Sequence, residues 1–81
     1  MESFDLFRLD GHTLRVFVSV CETGSVSRTA ELFDLNQSTI SHTLDKMRAA
    51  VGDLLFVKSG RGITPTEKAL ALLPRVQRIL A

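Results

Sequence analysis

Residues 25–44, SVSRTAELFDLNQSTISHTL, decide how this chain folds. Val26, Ala30 and Phe33 recur at helical spacing, and Ser25 or Ser27 can cap a helix from about Ser27 to Phe33. Ala30 is small where a following helix must cross closely. Asp34 falls where the turn wants a left-handed residue, which aspartate tolerates. Leu35 is expected to plug that turn into the core. Asn36 then caps a second helix from about Gln37 to Val51, with Ile40, Leu44, Met47 and Val51 as its apolar stripe. Two short helices, a tight turn and a polar first turn on the second helix make a helix-turn-helix. In that layout the second helix can lie in a DNA major groove.

The flanks extend the pattern. Residues 1–9 read as a loose leader with apolar anchors Phe4, Leu6 and Phe7. A first helix starts at Leu9 or Asp10, with Asp10 as a plausible N-cap, and Gly24 ends it. Leu14, Phe17, Val18 and Cys21 make its inward face, with Val16 and Val20 on a flanking one. After Gly52, Leu55-Phe56-Val57 reads as a strand, Ser59-Gly60-Arg61-Gly62 as a tight turn and Ile63 as the returning strand. Thr64-Pro65-Thr66-Glu67 reads as the start of a fourth helix, with Thr64 as N-cap, Pro65 first and Glu67 closing a capping box. Pro74 inside that helix predicts a bend. The fold class is mainly α: a winged helix-turn-helix of three helices and a short β-hairpin wing, then a long linker helix. The division is 1–64 for the winged domain and 65–81 for the linker helix.

Bulk properties narrow the function. Eighty-one residues make one domain, and 44% hydrophobic residues can build its core. One cysteine, Cys21, allows no internal disulfide or metal cluster, and on the inward face it reads as a core residue. No apolar run approaches a membrane span, and the acidic start MESFDLFRLD is no signal peptide. A cytoplasmic protein is expected. There is no HExxH, glycine-rich phosphate loop or carboxylate pair with a base, so no catalytic residue, cofactor or metal ligand is assigned.

The formal net charge is only +1, so distribution matters more than total. Up to Asn36 the acids lead. After Asp53 the bases Lys58, Arg61, Lys68, Arg75 and Arg78 face Glu67 alone. Gln37, Ser38, Ser41 and His42 lie opposite the apolar stripe of the third helix and are the candidate base contacts; glutamine can pair bidentately with adenine. Arg61, between two glycines at the wing tip, suits a narrow minor groove. Ser25, Ser27, Arg28, Thr39 and Lys58 are candidate phosphate contacts. The bland alternative for each is an ordinary solvated side chain, and the same fold without a polar recognition face serves as a protein-binding module. Gln37, Ser41 and Arg61 argue against that module. In the fourth helix Ala69, Leu72, Leu73, Val76, Ile79 and Leu80 form a stripe broader than one face, and an uncovered stripe of that kind marks a homodimer surface.

The segments LRVFVSVCETGSVSRTAELF and LNQSTISHTLDKMRAAVGDLLFVKSGRGITPTEKAL together resemble the N-terminal domain of a LysR-type transcriptional regulator. The resemblance implies a winged helix-turn-helix whose linker helix pairs antiparallel with a second copy, and double-stranded DNA with an inverted-repeat operator as partner. The family's base-contact positions fall on Gln37, Ser38, Ser41 and His42, and its wing arginine on Arg61. A small-molecule effector would act only through a C-terminal domain of periplasmic-binding-protein type, which these 81 residues do not include. Three departures stand out. Ser38 and Leu54 occupy positions where the family often has proline, and Leu32 replaces a usually polar residue.

Overall fold

The computed structural model describes residues 6–81. A 3-10 turn, Leu6–Arg8, leads into α1 (Gly11–Thr23), α2 (Val26–Phe33) and α3 (Gln37–Val51). A hairpin of β1 (Phe56–Ser59) and β2 (Gly62–Pro65) follows, then α4 (Glu67–Leu80). No helix among the described residues is long and apolar enough to cross a membrane. Leu6 is buried, as an anchor should be; Phe4 and the Phe7 side chain lie outside the described residues.

Each helix starts where a short polar side chain meets an orphan N–H. Asp10 accepts from the Thr13 N–H at 2.7 Å, Ser25 from Arg28 at 2.9 Å and Asn36 from Thr39 at 2.8 Å. Ser25, not Ser27, caps α2. Gly24, Asp34 and Gly52 end the first three helices at φ 66°, 57° and 77°. Asp34 therefore holds the left-handed position between α2 and α3. Leu35 behaves differently from expectation: it is 38% exposed. Its backbone explains why, since the Leu35 N–H is tied to the Ala30 carbonyl at 2.9 Å and closes the helix end. The side chain is left facing outward.

Helix α1 is the hub, packed by α2, α3 and α4. Val16, Phe17 and Val20 are fully enclosed, whereas Val18 and Cys21 are half-buried. The flanking face is thus as much core as the expected inward one, because α4 covers a side the helix-turn-helix leaves open. Phe17 meets Phe56 with ring centroids 5.7 Å apart, joining hub to hairpin. Burial pushes the Cys21 thiol up to about 12, so it stays protonated at neutral pH, packed against the core rather than within it.

The start of α4 also differs from the reading of its sequence. Thr64 pairs with Val57 and Pro65 with Phe56, so the hairpin takes both. Thr66 is the N-cap, its Oγ1 accepting from the Ala69 N–H at 3.2 Å, and Glu67 is the first helical residue. No Thr64–Glu67 capping box forms. The helix continues through Pro74 to Leu80.

Three residues, Asp53 to Leu55, carry the chain from the C-cap of α3 into β1. Leu55, expected in the strand, precedes it at φ 67° with its side chain wholly buried. A left-handed leucine is strained. It persists because its side chain fills the core and because Asp53 Oδ2 accepts from the Leu55 N–H at 2.8 Å. The same oxygen accepts from the Thr66 hydroxyl at 2.8 Å.

These carboxylates give an acid-stability prediction. The Thr13 backbone N–H holds the Asp10 carboxyl well below its usual range, and the Leu55 N–H lowers that of Asp53. A depressed folded pKa contributes stability above the unfolded value of 3.8 that is lost as pH falls below it. Wild type should therefore lose thermal stability between pH 5 and pH 2 more steeply than an Asp10→Asn, Asp53→Asn variant, by calorimetry across that range. Parallel curves would contradict it.

Candidate nucleic-acid interface

One face gathers most of the nominated residues. A cleft of about 310 Å³ opens between the start of α2, the start of α3 and the wing. Ser25, Ser27, Gln37, Lys58 and Arg61 line it together with Gly24, Val26, Gly60, Gly62 and Ile63. Ser38, Ser41 and His42 continue from its edge along the exposed side of α3. Helical spacing puts Ser41 one turn beyond Gln37, and His42 one turn beyond Ser38.

The wing reaches this cleft because two backbones touch. The Ile63 N–H donates to the Gly24 carbonyl at 3.0 Å. A Cβ on Gly62 would stand 2.5 Å from the same carbonyl oxygen, so only glycine fits. Gly24 had been legible as a helix end and Gly62 as a turn residue. Their contact was not legible, since it joins positions 38 apart in sequence. At the tip, Ser59 pairs with Gly62 across a two-residue turn, with Gly60 at φ 57°. Positive φ at the first turn position alone is the type II′ pattern, whose twist matches the strands. It leaves Arg61 exposed at the end of the hairpin.

The hydrogen bonds sort the candidates by what they still offer. Gln37, Ser41 and His42 are exposed and make no side-chain hydrogen bond among the described residues. Ser38 and Thr39 both donate their hydroxyl hydrogens to Asn36 Oδ1, each at 2.8 Å. They therefore present acceptor lone pairs, and Thr39 is half-buried. Ser25 and Ser27 share one hydrogen bond at 3.1 Å, leaving one hydroxyl hydrogen for a phosphate. Arg28 is engaged with Glu31 at 3.1 Å, an exposed pair worth about 0–1 kcal/mol and easily exchanged. Lys58 and Arg61 have no carboxylate partner among the described residues. Lys46 and Arg48, by contrast, pair with Asp10 and Asp45. Two unneutralised cations thus border the cleft, both on the wing; Arg15, Arg75 and Arg78 also lack a carboxylate partner among the described residues, but they do not line it.

Helix α4 corrects the sequence reading most. Ala69, Leu72 and Val76 are fully buried within this chain, on the face packed against α1. They are not open to a partner. Leu73, Ile79 and Leu80 are half-buried, and Leu70, which the stripe omitted, is 54% exposed. Leu32 is 56% exposed and Leu54 is 65% exposed.

A hairpin beside a two-helix reading unit, with free cations on the hairpin, defines a winged helix-turn-helix DNA-binding domain. The family model for "Bacterial regulatory helix-turn-helix protein, lysR family" matches residues 12–70. The chain belongs to the LysR family. An uncharacterized HTH-type transcriptional regulator of Escherichia coli, YbdO, is 34% identical over 77 residues, 95% of this chain and 26% of its own length. The HTH-type transcriptional activator AllS of Klebsiella pneumoniae is 39% identical over 72 residues, 89% of this chain and 27% of its own. The chain thus spans about a quarter of these relatives. A crystal structure of the CbnR DNA-binding domain with DNA superposes with TM-score 0.82 at 30% identity, covering 88% of this chain and 82% of that one.

The backbone contact predicts a specific cost. Gly62→Ala should destabilise the domain by about 1–3 kcal/mol through overpacking and weaken duplex binding, because the wing must lift from Gly24. Urea unfolding and fluorescence anisotropy check this. A variant as stable and as tight-binding as wild type would contradict the contact.

Proposed function

We propose that this domain reads an inverted-repeat operator as part of a homodimeric, effector-responsive transcription regulator in the cytoplasm. The observation that carries the reading is the cleft that joins the first turn of α3 to the unpaired cations of the wing. In that arrangement α3 enters the major groove. Gln37, Ser38, Ser41 and His42 face base edges, while Arg61 reaches the flanking minor groove. Ser25, Ser27, Arg28, Thr39 and Lys58 fix register on phosphates, which position without specifying. Of these, Thr39 is the least suited, since its hydroxyl hydrogen is already held by Asn36.

The dimer surface is what α4 leaves uncovered on one helical face, Leu70, Leu73 and Leu80; Ile79 lies on the other flank of the buried stripe. Two copies paired there would present their recognition helices to successive major grooves, roughly 34 Å apart. A small-molecule effector would act through further sequence of the kind the longer relatives carry.

Selection from a random duplex library should recover an inverted repeat. On that site Gln37→Ala or Ser41→Ala should cost about 1–3 kcal/mol and relax base preference. Equal losses on selected and random DNA would reduce both to backbone contacts. Arg61→Ala should weaken binding most where the flanks are A/T-rich; indifference of both proteins to the flank would end the minor-groove assignment. Leu70→Glu with Leu80→Glu should give folded monomers by sedimentation, and a dimer unchanged in both variants would rule this surface out.

A further inference from the structure

The roots of the wing converge on one side chain that no DNA-reading role explains. Asp53 Oδ2 accepts from the Leu55 N–H, which enters β1, and from the Thr66 hydroxyl, which follows β2, each at 2.8 Å. The two roots are also joined directly, since the Thr66 N–H donates to the Leu55 carbonyl at 2.9 Å. Thr66 is at the same time the N-cap of α4, accepting from the Ala69 N–H. On the other side, Arg48 Nε from the last turn of α3 donates to the Leu54 carbonyl at 2.7 Å. One carboxylate oxygen thus ties both feet of the wing to the N-cap of α4, while Arg48 separately holds the end of α3 to the same corner.

We infer that Asp53 is a positioning residue for DNA recognition: it locks the feet of the wing to the cap of α4 and so sets where Arg61 enters the minor groove. This rests on the proposed function above. The lever is short and stiff. Four strand residues at about 3.3 Å each put the tip roughly 10 Å from its feet, and the ladder between them transmits any tilt. The Gly24–Ile63 hydrogen bond holds the far side of the hairpin. Loss of Asp53 therefore loosens the wing without detaching it. Relaxation of the strained Leu55 backbone adds to the freedom, because its N–H loses the acceptor that held it at positive φ. Base reading by Gln37 and Ser41 does not pass through this joint, since their orientation is set by Asn36 at the opposite end of α3.

The test compares wild type, Asp53→Ala, Asp53→Asn and Arg61→Ala on two series of duplexes around the selected site. One series varies the bases under α3, and the other varies the A/T content of the flank. Asp53→Ala should lose most of the flank preference, about as much as Arg61→Ala, and keep the discrimination under α3 within about twofold. Asp53→Asn should retain the flank preference, because an amide oxygen accepts both hydrogen bonds. Val16→Ala, a core truncation in α1 remote from the wing feet, controls for stability; at matched loss of thermal midpoint it should keep both preferences. If Asp53→Ala keeps the flank preference while Arg61→Ala loses it, the inference is wrong and the minor-groove reading stands. If Asp53→Ala and Val16→Ala lose both preferences alike, Asp53 is structural only and the inference is wrong. If wild type shows no Arg61-dependent flank preference, the minor-groove reading and the inference fall together.

Discussion

The reading face depends on a backbone-to-backbone contact between the wing and the turn after α1. The Gly24 carbonyl accepts the Ile63 N–H, and the space around it admits no side chain at Gly62. Gly24 itself sits at φ 66°, where an L residue is strained. Two glycines far apart in sequence therefore fix the angle between hairpin and helix-turn-helix. Without that contact Lys58 and Arg61 would project from a hairpin held only at its feet. With it, they border the same cleft as Ser25, Ser27 and Gln37.

Charge follows the same plan. A formal net charge of +1 gives little general attraction to a polyanion. Where the cations stand therefore matters more than their total. Lys46 and Arg48 are paired with Asp10 and Asp45, away from the cleft, and they join helices and corners. Lys58 and Arg61 stay unpaired among the described residues.

Much of this was legible because it is local. The caps at Asp10, Ser25 and Asn36, the ends at Gly24 and Gly52, and the left-handed Asp34 follow from hydrogen bonds, side-chain or backbone, that span no more than four residues. The candidate contacts in α3 were legible for the same reason, since the apolar stripe of Ile40, Leu44 and Met47 fixes which side faces out. What failed was decided by partners distant in sequence. Two threonines in Thr64-Pro65-Thr66 could each cap α4, and pairing with Val57 removed the first. The stripe of α4 looked uncovered because α1 offers a second apolar face, through Val16 and Val20, that periodicity had ranked as secondary. Asp53 passed unread because its partners include Thr66, 13 residues away.

The central claim is that the cleft between α2, α3 and the wing is where DNA binds. The direct test is a backbone-amide NMR titration of this chain with a duplex bearing the selected site. The account predicts that the perturbed amides cluster at Ser25–Arg28, Gln37–His42 and Lys58–Gly62. Perturbations confined to α4, with the wing and the first turn of α3 silent, would contradict it.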